Sequence, residues 1–94
     1  MSGPIRLTLF VAGRSLRSER AIRNLRALCD TDLDGLSTVH IVDVLERPQE
    51  AEDRRIVATP TLVRDAPPPQ LRVIGDLSDR ERVLRGLGLS AAGA

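Results

Sequence analysis

The chain runs through blocks of apolar and polar positions whose spacing changes from segment to segment. IRLTLFVAG (5–13) is mostly apolar and stops at glycine, which predicts a buried strand. The polar stretch RSLRS follows. In SERAIRNLRALCD (18–30), Ala21, Ile22, Leu25, Leu28 and Cys29 recur at helical spacing, while Arg20, Arg23 and Arg26 occupy another face. That pattern predicts an amphipathic helix of about three turns. TDLDG is a turn, and the β-branched run LSTVHIVDVL (36–45) predicts a second strand. RPQEAEDRRIVA (47–58) predicts a second helix. Pro48 suits its first turn; Glu50, Glu52 and Asp53 crowd the amino end; Arg54 and Arg55 sit near the other, as the helix dipole favours. TPTLVR (59–64) is a short third strand, Pro67, Pro68 and Pro69 make a turn, and QLRVI (70–74) is a fourth strand close enough to form a hairpin with the third. SDRERVLRGLGL (78–89) predicts a closing helix with Ser78 and Glu81 as a capping box and Leu77, Val83, Leu84 and Leu87 as its apolar stripe. Gly86 and Gly88 would each weaken it by about 0.5–1 kcal/mol relative to Ala. The tail SAAGA (90–94) reads as frayed.

The resulting order is β-α-β-α-β-β-α, an α/β class. Two strands joined by a helical crossover lie parallel, with a right-handed connection. This is the arrangement of the thioredoxin fold, and Thr59-Pro60-Thr61 falls where such proteins carry a proline, commonly cis, ahead of the third strand. At 94 residues the chain is expected to form one domain over 1–94. Its one aromatic residue, Phe10, leaves the core to Leu, Ile, Val and Ala and argues against nucleic-acid binding by stacked aromatics. The net charge of +1 provides no strong field of either sign. All 14 basic residues are Arg, for which compositional bias is a sufficient account. There is no signal peptide and no long apolar run, so a soluble, cytoplasmic protein away from membranes is expected.

Catalytic chemistry finds little purchase. A thioredoxin-type oxidoreductase needs a thiolate at the amino end of its first helix, where the dipole lowers the thiol pKa. Here that place is AGRSLRSE, without cysteine. The single cysteine, Cys29, rules out an internal disulfide and lies at the far end of the helix on its apolar side, as a small core residue would. Ser15 and Ser18 suit helix caps and have no base beside them. His40 alternates with Val39 and Ile41 and should face away from them. One His and one Cys far apart give no metal-ligand spacing. Glu50, Glu52 and Asp53 form a solvated cluster, Asp43 a local cap, and Gly75-Asp76 lacks the glycine pattern and lysine of a phosphate loop. The expectation is a non-enzyme without cofactor or metal. Two readings of the arginine row stay open: a partner surface together with the second strand, or a plain solvent face.

Three segments resemble the KaiB family in order and at family spacing: LFVAG (9–13), IVDVLERPQEAEDRRIVATPTLV (41–63) and PPPQLRVIGDLSDRERVL (67–84). The similarity runs from about residue 5 to residue 89 without gaps. The sensor domain of the SasA kinase has a similar fold; the proline turn and the Gly-Asp-Leu-Ser segment, on a chain with no kinase attached, favour KaiB. The resemblance implies a circadian-clock-type regulator that binds a KaiC-like hexameric ring ATPase in its phosphorylated or ADP-bearing state and modulates its phosphorylation and ATPase cycle. KaiA-like or SasA-like clock proteins are further implied partners. It assigns the first helix and second strand to the ring, with Arg20 matching a basic position, Arg23 beside it and His40 where the family often carries Lys. It also implies metamorphism: residues 56–89, with Pro60, Pro67, Pro68 and Pro69, match a half that repacks in a tetrameric form. Gly88 stands where better-known members have Asp, the acidic tail is missing and Tyr is absent. A thioredoxin-like monomer is therefore expected as the resting state, with a tetramer as the alternative. The competing reading is a thioredoxin-like adaptor without redox cysteines in stress or two-component signalling.

Overall fold

The computed structural model describes residues 4–33 and 35–89. The expected frayed tail lies outside them. The elements are β1 (Ile5–Val11), α1 (Leu16–Thr31), β2 (Ser37–Asp43), α2 (Pro48–Asp53), β3 (Thr61–Ala66), β4 (Leu71–Ile74) and α3 (Arg80–Gly86), in the expected order. The four strands form one mixed sheet in the order β2-β1-β3-β4. β1 pairs parallel with β2 and antiparallel with β3, and β3 and β4 form the hairpin. The mixed α/β, thioredoxin-like arrangement read from the sequence is the observed one.

The central position of β1 explains its apolar run: Leu7, Thr8, Leu9, Phe10 and Val11 are all buried. Leu7, Leu9 and Val11 point to one face, where Ala21, Leu25 and Leu28 of α1 and Val83, Leu84 and Leu87 from α3 and its end meet Leu62 and Val73. Phe10 points to the other face and packs with Val42 and Val63, with Val44 and Ile56 at the margin of the cluster. Each fully buried Leu contributes roughly 1.5–3 kcal/mol relative to exposure.

Element boundaries depart from expectation where backbone conformation or caps intervene. β1 stops at Val11 because Gly13 turns the chain at φ +61°. α1 begins at Leu16 with Ser15 as N-cap, so RSLRS is the cap and first turn. α2 ends at Asp53, not at residue 58, and Arg55 follows with φ 55°. The acidic cluster is accordingly spread: Glu50 lies in the first turn beside Arg47, and Asp53 in the last, where it accepts from Gln49. The cap of α3 is Asp79, not Ser78: the Asp79 carboxylate accepts from the Arg82 amide at 3.1 Å. Gly88 is not in that helix at all. It closes the helix end at φ +71°, as a glycine past a helix terminus does. At Gly86 the helix passes close to β4, and an ideal Cβ would come within 2.5 Å of Val73 Cγ2.

Candidate partner-binding surface

The amino end of α1 is fixed before any partner is considered. The Ser15 hydroxyl accepts from the Ser18 amide at 3.2 Å. Ser18, 1% exposed, accepts from the Ala12 amide at 3.1 Å and from Ser15 Oγ at 2.8 Å. One oxygen of Asp43, at the end of β2, accepts from the amides of Gly13 and Leu45, each at 2.9 Å. The β1–α1 loop and the β2–α2 turn are thus held by a single carboxylate, the local cap expected of Asp43. No cysteine occupies this end of α1. Cys29 lies at the other end, half-buried, with Ser37 Oγ at 3.5 Å from its sulfur. It lines an apolar groove with Ile22, Leu25, Val39 and Ile41.

Arg20, Arg23 and Arg26 are exposed, and among the described residues no carboxylate forms an ion pair with them. The helix fans them out. Arg26 borders the groove beside β2. Arg20, with Arg17, lies on the side of the loop preceding α3. There hydrogen bonds from Ser78 hold the Asp76 carboxyl below its ordinary value, and the charges of Arg20 and Arg17 add to the effect. The side-chain amide of Asn24 also donates to the Asp76 carbonyl at 2.8 Å, fastening α1 to that loop.

His40 is exposed on the opposite face of β2, facing away from Val39 and Ile41 as expected. It borders an open cleft of about 540 Å³ with Thr8, Arg47, Glu50 and Arg54. The structure therefore brings Arg20 and Arg23 together on α1 and sets His40 across the sheet from them. Beside His40 runs a polar network that the sequence did not announce. Thr8 Oγ1 donates to Asp65 at 2.6 Å, the other Asp65 oxygen accepts from Arg54, and the Arg54 guanidinium lies 5.5 Å above the Phe10 ring centroid. Thr8, a polar residue inside the most apolar strand, was the one available signal.

Pro60 is buried; Pro68 and Pro69 are exposed and Pro67 is half-buried. The Thr59–Pro60, Ala66–Pro67 and Pro68–Pro69 peptides are cis. Pro60 and Pro69 also serve as acceptors: the Pro60 carbonyl takes the Gly75 amide at 3.0 Å and the Pro69 carbonyl the Arg64 guanidinium at 2.9 Å. Among the described residues no three His, Cys, Asp or Glu side chains converge as a metal site would need, and no helix is long and apolar enough to cross a membrane.

The KaiB domain family model matches residues 8–89. Circadian clock protein KaiB3 of Synechocystis sp. is 47% identical over 87 residues, covering 93% of this chain and 85% of the relative. The circadian clock oscillator protein KaiB of Prochlorococcus marinus is 53% identical over 83 residues, covering 88% and 71%. Among solved structures, the N-terminal domain of Synechococcus elongatus SasA superposes with a TM-score of 0.73 at 25% identity, covering 97% of this chain and 90% of that one. Mitochondrial thioredoxin 3 of Saccharomyces cerevisiae gives the same TM-score at 18% identity, covering 92% and 78%, and so shares the fold. The family match and the near-full-length relatives agree: the chain belongs to the KaiB family of circadian clock proteins.

Proposed function

We propose that this protein regulates a KaiC-like hexameric ring ATPase by binding it, without catalysis of its own, and so modulates the ring's phosphorylation and ATPase cycle. The observation that carries this reading is the exposed guanidinium row of α1, which lacks carboxylate partners among the described residues and sits on a helix whose amino end is capped by Ser15. A surface of that kind suits an acidic partner face. Arg20 and Arg23 are its centre. His40 joins them if the ring grips the edge strand β2, which has a face on either side of the sheet. The reading places a single KaiB-like domain over the whole chain, working in the cytoplasm, with the monomer as the binding species and KaiA-like or SasA-like clock proteins as further partners. Residues 56–89, with Pro60 and Pro67–Pro69, are proposed as the half that could take a second packing; helical backbone shifts at 70–74 in solution would reveal it.

The test is native mass of the purified protein, alone and with a KaiC-type hexamer from the same genome plus ATP or ADP. Joining the ring in one nucleotide state supports the reading. Arg20→Glu should then weaken binding at least about tenfold, the scale of a lost charge contact at an interface, with an unchanged circular dichroism spectrum. Failure to join in either nucleotide state would favour an adaptor with another partner, and an unchanged affinity would remove Arg20 from the interface.

A further inference from the structure

β2 is an outer strand of the sheet, and among the described residues nothing pairs with its free side. That edge lacks the features by which sheet edges are usually guarded. Residues 37–42 (STVHIV) include no Asp, Glu, Arg, Pro or Gly, and β2 pairs with β1 in unbroken register. The opposite edge is guarded: β4 has four residues, carries Arg72 and follows Pro67, Pro68 and Pro69. Ile41, in the unguarded edge, is 46% exposed. With Val39 it forms one wall of the apolar groove, about 220 Å³ in volume, whose other wall includes Ile22 and Cys29 of α1. The direction of the free backbone groups follows from the pairing with β1. The Ile5 amide donates to the Leu36 carbonyl at 2.7 Å, and the Val44 amide to the Val11 carbonyl at 2.8 Å. Alternate residues of a parallel strand bond the same neighbour, so the even positions from 36 to 44 bond β1. The amides and carbonyls of Val39 and Ile41 then point outward.

We infer that a second copy of this chain pairs with this edge, β2 against β2, antiparallel about a two-fold axis at His40. The strand is self-complementary in that register. Val39 and Ile41 of one copy face Ile41 and Val39 of the other and exchange their outward amide–carbonyl bonds. These two contacts also cover the exposed Ile41 and close the mouth of each groove. Thr38 falls opposite Val42 and Ser37 opposite Asp43, so no two like charges meet. Moving the axis to Val39 or Ile41 leaves two of the strand's seven residues unmatched. His40 sits on the axis as a non-hydrogen-bonded pair, where Cα atoms are about 4.5 Å apart and side chains approach closest. The two imidazoles therefore adjoin on the face away from Val39 and Ile41. A contact one strand wide is small, so the dimer is weak and transient and the monomer prevails in dilute solution. The pairing needs only a second copy and does not rest on the proposed ring ATPase. Self-pairing and capture of the β2 edge by any other partner exclude one another.

Sedimentation equilibrium of the full chain from about 10 μM to 1 mM, the range of weak interfaces, tests this on the wild type, His40→Glu, His40→Arg and an equimolar mixture of the two variants. His40 is exposed, so both variants should keep the wild-type circular dichroism spectrum. The wild type should show a monomer–dimer equilibrium. Each variant alone sets like charges opposite each other at the axis and should associate at least about tenfold more weakly. The mixture, with opposite charges facing, should recover at least about fivefold of that loss. A wild type that stays monomeric over the whole range overturns the inference. So does association unchanged in either variant, which would place the self-contact on another surface, or a mixture that associates no more tightly than the variants alone.

Discussion

Replacing Asp43 separates two roles that a carboxylate at a strand end can play. One of its oxygens takes the Gly13 and Leu45 amides at 2.9 Å each. Gly13 and Asp43 are half-buried and Leu45 is exposed, so water can reach both amides once the acceptor is gone. The loss is then the net value of two hydrogen bonds to a charged group at a partly wet site, about 1 kcal/mol each. Asp43→Ala should therefore cost about 2 kcal/mol. Asp43→Asn keeps an acceptor oxygen without the charge, and neutral bonds are roughly half as strong, so it should cost about 1 kcal/mol. For a domain of this size these losses correspond to falls in Tm of about 8–16 °C and 4–8 °C. With no Trp or Tyr in the chain, the assay is urea unfolding followed by far-ultraviolet circular dichroism. The m-value should stay constant across the three proteins, since neither change alters the surface exposed on unfolding. If Asp43→Asn is as damaging as Asp43→Ala, charge and not bond acceptance matters here. If Asp43→Ala costs less than about 0.5 kcal/mol, the carboxylate does not anchor the start of α1.

Arg80 hydrogen-bonds Asp32 and holds its carboxyl below the ordinary 3.8. A depressed carboxyl adds stability above its unfolded value and loses it as pH falls through the folded one, so the wild type should lose Tm on acidification from pH 5 downward. Arg80→Ala should show a shallower loss over the same range, and parallel curves would refute the assignment. Leu25→Ala, at a position 2% exposed under α1, should cost about 3 kcal/mol in the same urea assay, a large share of the roughly 5–15 kcal/mol typical of a domain. Gly13→Ala must hold φ +61° and should cost about 1 kcal/mol. Its Cβ would also stand 3.1 Å from Leu45 Cδ1, so a cost that vanishes in a Leu45→Ala background would show that contact, and not the backbone, to be responsible.

Periodicity makes the sheet legible. A mostly apolar run marks β1 as a buried strand, and alternation around His40 puts that side chain on the face away from Val39 and Ile41, where it lies. Caps are harder to read. Ser78 and Asp79 are both good N-caps, but α3 starts at Arg80, so it is the Asp79 carboxylate that takes the Arg82 amide, at 3.1 Å. Charge placement along 47–58 suits a helix dipole and so predicts a longer α2, while the left-handed Arg55 just past its end leaves no mark in composition. The tie between α1 and the loop before α3 was hidden for another reason. Asn24 and Asp76 stand 52 positions apart, and their contact exists only once the strands are ordered. Burial of Arg64 is hidden likewise, since an arginine at the end of a strand ordinarily reaches solvent.

The placement of β1 between β2 and β3 has a consequence for synthesis on the ribosome. β1, α1 and β2 are contiguous in sequence and can pair as soon as Asp43 has left the exit tunnel. The second edge of β1 must then wait for Ala66, another 23 residues, which is about 1–5 s at 5–20 residues per second. For that interval the most apolar strand of the protein carries an open edge, and the nascent chain is at its most exposed to capture by a neighbour.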